Sequence, residues 1–320
     1  MATTRPQFQI TLDGRRVRLG VRTLIAGVLN ATPDSFSDGG RFIDPGAAVR
    51  HAMEMVRAGA DWIDVGGEST RPGARPVSAE EELRRVLPII RGIHKRFSTL
   101  PISIDTTKGV VAEQAIQAGA SLVNDVSGLR FDASIAEVAR RHRVPLVLMH
   151  LRGRPATMQQ KAFARSASRS VGRGIAWSIQ KALALGVRRS QLMIDPGLGF
   201  GKTRRQNFEL IARLAILRRF HLPIMVGASR KSFIQAVVAG EGLDPTRQAN
   251  PGGFAKPVYR EVTRGKPRWR MESRAALDFG DAAALTAAIL AGAHIVRMHN
   301  VAAALPAARI ADAILAAAEG

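Results

Sequence analysis

The chain has 320 residues, long enough for one large domain or two ordinary ones, and 46% of them are hydrophobic, so it can bury a sizeable core. It contains no cysteine, which excludes disulfides, thiolate catalysis and any cysteine-ligated zinc or iron–sulfur centre. The formal charge of +21 fits either a nucleic-acid surface or a basic protein that binds small anions, and 5% aromatics argue against a platform that stacks single-stranded bases.

Residues 1–20 read as a leader. Phe8, Ile10 and Leu12 alternate with polar residues, as do Val17 and Leu19, and Asp13-Gly14 between them is a two-residue hairpin signal. The hairpin is expected to act as a lid on one end of the domain that follows. No apolar stretch precedes it, so a signal peptide is not expected, and no run approaches the ~20 apolar residues that span a bilayer.

From residue 21 onward the pattern is strand, loop, helix, repeated. Short apolar runs at 24–29, 62–65, 102–104, 122–123, 144–149, 192–194, 223–226 and 294–296 read as strands buried on both faces. Helical patterns fall at 44–58, 79–96, 108–118, 132–142, 171–185, 205–218, up to 238, at 281–291 and at the Ala-rich end. Ser78 before an acidic run suits a helix N-cap, and Gly59, Gly119, Gly186 and Gly292 stand where helices end. Residues 240–275 are irregular, and 241–273 read as a basic insertion. Eight βα units imply an α/β fold, a (β/α)8 TIM barrel with an N-terminal β-hairpin, over a single domain at 21–320; an open doubly wound sheet is the alternative.

In such a barrel catalytic residues sit at the C-terminal ends of the strands. Asn30, Asp64, Asp105, Asn124, His150, Asp195, Lys231, Arg297 and His299 all fall there. Any one of them alone is a helix cap or a core histidine; together they are expected to converge on one mouth. Asp195-Pro-Gly-Leu-Gly-Phe-Gly-Lys-Thr203 is not a P-loop, because Pro196 occupies the place of the first glycine. Asp105 and Asp195 suit general acid/base work or paired acceptance from an amino-substituted ring, and Asn124 adds a donor and an acceptor, a set suited to a guanine-like or pterin-like heterocycle. Arg71, Lys231, Arg297 and His299 form a phosphate-like anion site. Asn30, with Thr32, Asp34 and Ser35, offers hard oxygens, which beside a phosphate substrate suggest Mg²⁺. The acid-free stretch from Val138 to Ile194 reads as a solvated basic face ahead of a nucleic-acid surface.

Taken in order, these motifs resemble dihydropteroate synthase, the pterin-binding family of folate biosynthesis. Gly27-Val-Leu-Asn-Ala-Thr-Pro-Asp-Ser-Phe-Ser-Asp-Gly-Gly40 and Asp64-Val-Gly-Gly-Glu-Ser-Thr-Arg-Pro-Gly73 look like its two loop signatures. Ser103-Ile-Asp-Thr106, Asn124-Asp125, Leu148-Met-His150, Asp195 to Lys202, Ser229-Arg-Lys-Ser232 and Arg297-Met-His299 follow in the family's order. The resemblance implies that 4-aminobenzoate displaces pyrophosphate from dihydropterin-CH₂-diphosphate. It implies pterin contacts from Asp105, Asn124, Asp195 and Lys231, diphosphate contacts from Arg71, Arg297 and His299, and an aminobenzoate border of Thr70, Arg71, Pro72, Phe36 and Ser232. It also implies substrate contacts at Asp64, Met149 and Gly227, Mg²⁺ at Asn30, and catalytic roles for Asp105, Lys231, Arg297 and His299. A homodimer, a cytoplasmic location and sulfonamide action belong to the same expectation, with no membrane partner and no nucleic acid. A corrinoid methyltransferase with a similar pterin pocket, or a basic nucleic-acid-binding barrel, is the alternative. One departure stands out: the family's Asp after the last His is Asn300 here, which leaves the orientation of His299 open.

Overall fold

The computed structural model describes residues 5–32, 44–71, 73–159, 165–243 and 274–318. Phe36, Pro72 and residues 244–273, most of the expected insertion, lie outside them. The leader forms an antiparallel hairpin, β1 (Phe8–Leu12) with β2 (Arg15–Leu19), turned at Asp13 and Gly14, both with positive φ as a two-residue hairpin turn requires.

Eight parallel strands follow: β3 (Leu24–Asn30), β4 (Trp62–Gly66), β5 (Ile102–Asp105), β6 (Leu122–Asp125), β7 (Leu146–Met149), β8 (Leu192–Asp195), β9 (Met225–Val226) and β10 (Ile295–Met298). They run in the order β8-β7-β6-β5-β4-β3-β10-β9, and a bridge from Ile194 to Ile224 brings the two ends together, so the sheet is a nearly closed barrel. Helices alternate with them: α1 (Pro45–Arg57), α2 (Ala79–Arg96), α3 (Gly109–Gln117), α4 (Ser134–His142), α5 (Ala167–Ala184), α6 (Arg204–Ala212), α7 (Ser232–Val238), α8 (Arg274–Leu290) and α9 (Val301–Ala317).

Residue parity along each strand decides what faces in. Ile25, Leu29, Ile63, Val65, Ile102, Ile104, Leu146, Leu148, Ile194 and Val296 face outward into the main core beneath the helices. Leu24, Ala26, Trp62, Leu122, Val147, Met193, Met225 and Ile295 face inward, near the strand starts, and pack on Ile10, Leu12 and Leu19 of the hairpin. The hairpin therefore plugs the N-terminal end, the lid role expected of it. Arg5 stitches it down, donating to Thr23 Oγ1 at 2.7 Å, to Ala293 O at 3.0 Å and to Asp312 at 2.9 Å.

Helix ends repeat one device. The amides of Ala60, Ala120, Val187 and Ala293 each reach back to a carbonyl five residues earlier, across Gly59, Gly119, Gly186 and Gly292, all at positive φ. Three helices differ from their expected limits. Helix α5 starts at Ala167 because Ser166 caps it, its hydroxyl accepting from Arg169 N. Helix α6 stops at Ala212 and continues as a 3-10 turn at Leu214–Phe220. Helix α8 begins at Arg274 and runs through Gly280, where a Cβ would come within 2.6 Å of Val238. That glycine marks close packing of α8 on α7, not a break.

Candidate active site

Towards the strand ends, the inward faces of β4, β5, β6, β8 and β10 carry the polar residues. Asp64, Ser103, Asp105, Asn124 and Asp195 are buried there, with Arg297 partly so. The guanidinium of Arg297 forms an ion pair through Nε with Asp64 and another through Nη2 with Asp105 Oδ2, at 2.6 Å. Ser103 donates its hydroxyl to Asp64 Oδ1, and Asn124 donates Nδ2 to Asp64 Oδ2 at 3.3 Å. The amide oxygen Asn124 Oδ1 is buried without a hydrogen-bond partner. Such an acceptor is costly unless something else fills it.

Charge is finely balanced across this network. Burial pushes the Asp105 carboxyl up to about 7, against the pull of Arg297 and with a push from Asp64 and Glu82. Burial raises Asp195 to about 6, while the Gly197 amide and Lys231 hold it down. Burial lowers Lys231 to about 8, helped by Arg297 and opposed by Asp195 and Asp105. Burial opposes the charge of Arg297, but Asp64 and Asp105 more than restore it and its pKa rises. Groups poised near neutrality in a cleft are what proton-sensitive binding and catalysis use.

An apolar shelf lies beside these groups. Val126, Met149, Leu151, Met158 and Phe200 form a small buried cluster, and the Lys231 ammonium sits 4.1 Å from the centre of the Phe200 ring. A cavity of about 400 Å³ opens next to it, lined by Asp105, Thr70, Phe131 and Arg154 among others. The Gly197–Gly201 loop is fixed from within. Asp195 Oδ1 accepts from Gly197 N at 2.6 Å and Asn207 Oδ1 from Gly199 N at 2.7 Å, so these amides are already engaged and do not form a phosphate cradle. Sequence reasoning passed over Lys202. Its ammonium is buried and donates to the carbonyls of His150, Gly197 and Phe200.

His299 differs from expectation. Burial, followed by Arg297, Arg230, Lys231 and Arg71, drives its pKa down to about 3, so it is neutral where a cation was expected. Ser229 donates to Asp281 Oδ2 at 2.9 Å, so its oxygen is the acceptor for His299 Nδ1 at 3.1 Å. That leaves Nε2 to accept from Asn30 Nδ2 at 3.3 Å. The other atom of that amide, Asn30 Oδ1, is an oxygen of the kind that can ligate a hard cation. The orienting group of His299 is thus the Ser229–Asp281 pair. Asn300 is the N-cap of α9, accepting from Ala303 N and donating to Asp278.

His150 does not join the mouth. It follows inward-facing Met149 and so faces outward, where its ring blocks any side chain at Gly174 of α5. Gly227 lies beside the stem of Arg297 with room to spare, Ser232 is exposed at the start of α7, and Arg71 is exposed at the rim.

Among the described residues no three His, Asp or Glu side chains come together to hold an ion. The donors fit only a cation that keeps most of its waters and takes further oxygens from a bound phosphate. Mg²⁺ behaves in this way, and a single amide oxygen at Asn30 suits it.

Comparison with known proteins adds to this geometry. The family model for pterin binding enzymes matches residues 26–299. A dihydropteroate synthase of Synechocystis sp. is 41% identical over 295 residues, covering 92% of this chain and 91% of the relative. The Yersinia pestis dihydropteroate synthase solved with a sulfonamide drug complex superposes with a TM-score of 0.80 at 34% identity, covering 97% of this chain and all of the other. The Xanthomonas albilineans enzyme solved with 4-aminobenzoic acid gives 0.78 at 35% identity, covering 97% and 99%.

Proposed function

Since the chain belongs to the dihydropteroate synthase family of pterin-binding enzymes, we infer that it joins 4-aminobenzoate to (7,8-dihydropterin-6-yl)methyl diphosphate. The products are 7,8-dihydropteroate and pyrophosphate. The observation that carries this reading is the inward polar set itself, two carboxylates on one guanidinium beside an amide with an unfilled acceptor.

The pterin lies on the Met149–Phe200 shelf. Its amino-substituted edge donates to the ionised carboxylates of Asp105 and Asp195, and Asn124 Oδ1 gains the donor it lacks. Lys231, whose ammonium rests against the Phe200 ring, supplies a further donor beside that shelf. Asp64 holds Arg297 in place from below. The diphosphate faces Arg71, Arg297 and His299, whose neutral ring contributes hydrogen bonding instead of charge. Asn30 would hold Mg²⁺, which would supply positive charge to the leaving diphosphate. The methylene C–O bond breaks, and its electron pair leaves on the diphosphate. The electron-rich dihydropterin ring stabilises the resulting carbon centre. The aminobenzoate nitrogen then forms the C–N bond at short range and loses its proton to solvent. Thr70, Ser232 and Gly227 border the acceptor.

The test is pyrophosphate release from the pterin diphosphate with 4-aminobenzoate or Mg²⁺ omitted in turn. Release that requires both is expected; release indifferent to 4-aminobenzoate overturns the reading. We also propose a cytoplasmic homodimer. Phe279 of α8 is 75% exposed, and Ile310 and Ile314 on adjoining α9 are also exposed, a face that a second copy would cover. A monomer in sedimentation at micromolar concentration would remove that part. No described helix is long and apolar enough to cross a membrane.

A further inference from the structure

The floor of the barrel, opposite the mouth, holds three hollows that share one arginine. A cavity of about 460 Å³ lies between the hairpin and the ends of α2, α3 and α4, one of about 410 Å³ lies between α4 and the loop after α5, and one of about 400 Å³ lies beside β1. Arg143 lines all three. Arg188 lines the second and third, Arg140 the second and Arg16 the third. All four arginines are exposed. Among the described residues no carboxylate pairs with any of them. Of the acidic groups nearby, Glu113 takes up Arg141 at 3.1 Å and His142 at 2.8 Å, while Asp13, exposed at the hairpin tip, lines the outer edge of the first hollow.

Two features make this more than scattered charge. Arg143 occupies a helix-end position at φ 54°, the left-handed conformation that glycine takes after α1, α3 and α8. A side chain is kept there at a conformational cost. The stem of Arg140 lies close across Gly186, where a Cβ would come within 2.7 Å of its Cδ. Independently, the Ser121 hydroxyl lines the 460 Å³ hollow, is 8% exposed and has no hydrogen-bond partner.

We propose that this floor is an oligophosphate-binding site centred on Arg143. Guanidinium groups from three chain segments converge on hollows of the right scale for two or three linked phosphates, and Arg forks match phosphate oxygens in pairs. Ser121 supplies a donor at the inner end. The ligand is a free phosphate chain or the phosphate tail of a nucleotide. The site lies at the far end from the chemistry.

Calorimetry with inorganic tripolyphosphate on the full chain tests it. Wild type is expected to take up two equivalents, one at the mouth and one at the floor. The double variant Arg143→Gly with Arg188→Ala should lose the floor equivalent, a drop of about tenfold or more in affinity, and keep wild-type pyrophosphate release. Glycine suits the positive φ at 143, so the fold is retained. ATP binding no tighter than tripolyphosphate identifies a bare phosphate chain as the ligand; tighter binding identifies a nucleotide. One equivalent in wild type overturns the proposal. So does an equal loss in Arg57→Ala with Arg205→Ala, which would mean general charge. A floor variant that loses affinity for a 20-base-pair DNA duplex while tripolyphosphate binding is unchanged also overturns it, in favour of a nucleic-acid surface.

Discussion

Arg297 holds two buried carboxylates that have no other cation within ion-pair distance among the described residues. Its removal leaves both charges buried and unpaired, so Arg297→Met is expected to cost about 3–5 kcal/mol in urea unfolding. A variant as stable as wild type would mean that water reaches the pair. Asp195 gives a cleaner functional probe. Its carboxyl is raised to about 6, and only the ionised form accepts two donors. Pterin affinity is therefore expected to fall as pH drops through about 6, and to be lost in folded Asp195→Ala; calorimetry across pH 5 to 8 reads both. Asn300 separates capping from orientation. Asn300→Ala should cost about 0.5–2 kcal/mol through the α9 cap and leave KM for both substrates unchanged. A changed KM would restore the role in orienting His299 that the family pattern suggests.

At the scale of elements, the sequence is legible where one physical rule decides. Alternating apolar runs, the Asp13-Gly14 turn, Ser78 before α2 and the glycines after four helices each announce themselves. Parity was available too: Met149 inward means His150 outward, and reading strand ends without parity placed His150 in the mouth. What was not legible needed a partner in space. Gly280 looks like a breaker until Val238 lies against it, and Ser229–Asp281 as the support of His299 joins segments 52 residues apart. Lys202 belongs to this class, because a lysine at a loop end reads as solvated until three carbonyls enclose it. Burial lowers its pKa to about 7, against about 10.4 in an unfolded chain. Between those values the unfolded state binds more protons, so this lysine makes stability rise with pH from about 7 toward 10. Lys202→Met should lose that rise; parallel pH profiles of unfolding for the two proteins would show that Lys202 keeps its full charge when folded.

At the scale of the whole molecule, the barrel divides its work along its axis. The inward residues change from apolar at the strand starts to ionisable at the strand ends within two positions, so one strand such as β4 carries Trp62 for the plug and Asp64 for the mouth. Plug and chemistry are then joined through the strands that carry both. Leu19 tests this separation. It is fully buried between the hairpin and the barrel floor, so Leu19→Ala opens a cavity and should cost about 2–5 kcal/mol. Because Arg5 still anchors the leader and the mouth network lies at the other end, kcat and KM at temperatures well below unfolding should stay at wild-type values. A KM for the pterin diphosphate that rises with the loss of stability would show that the floor sets the position of Asp64 through β4, and that the two ends of the barrel are energetically coupled.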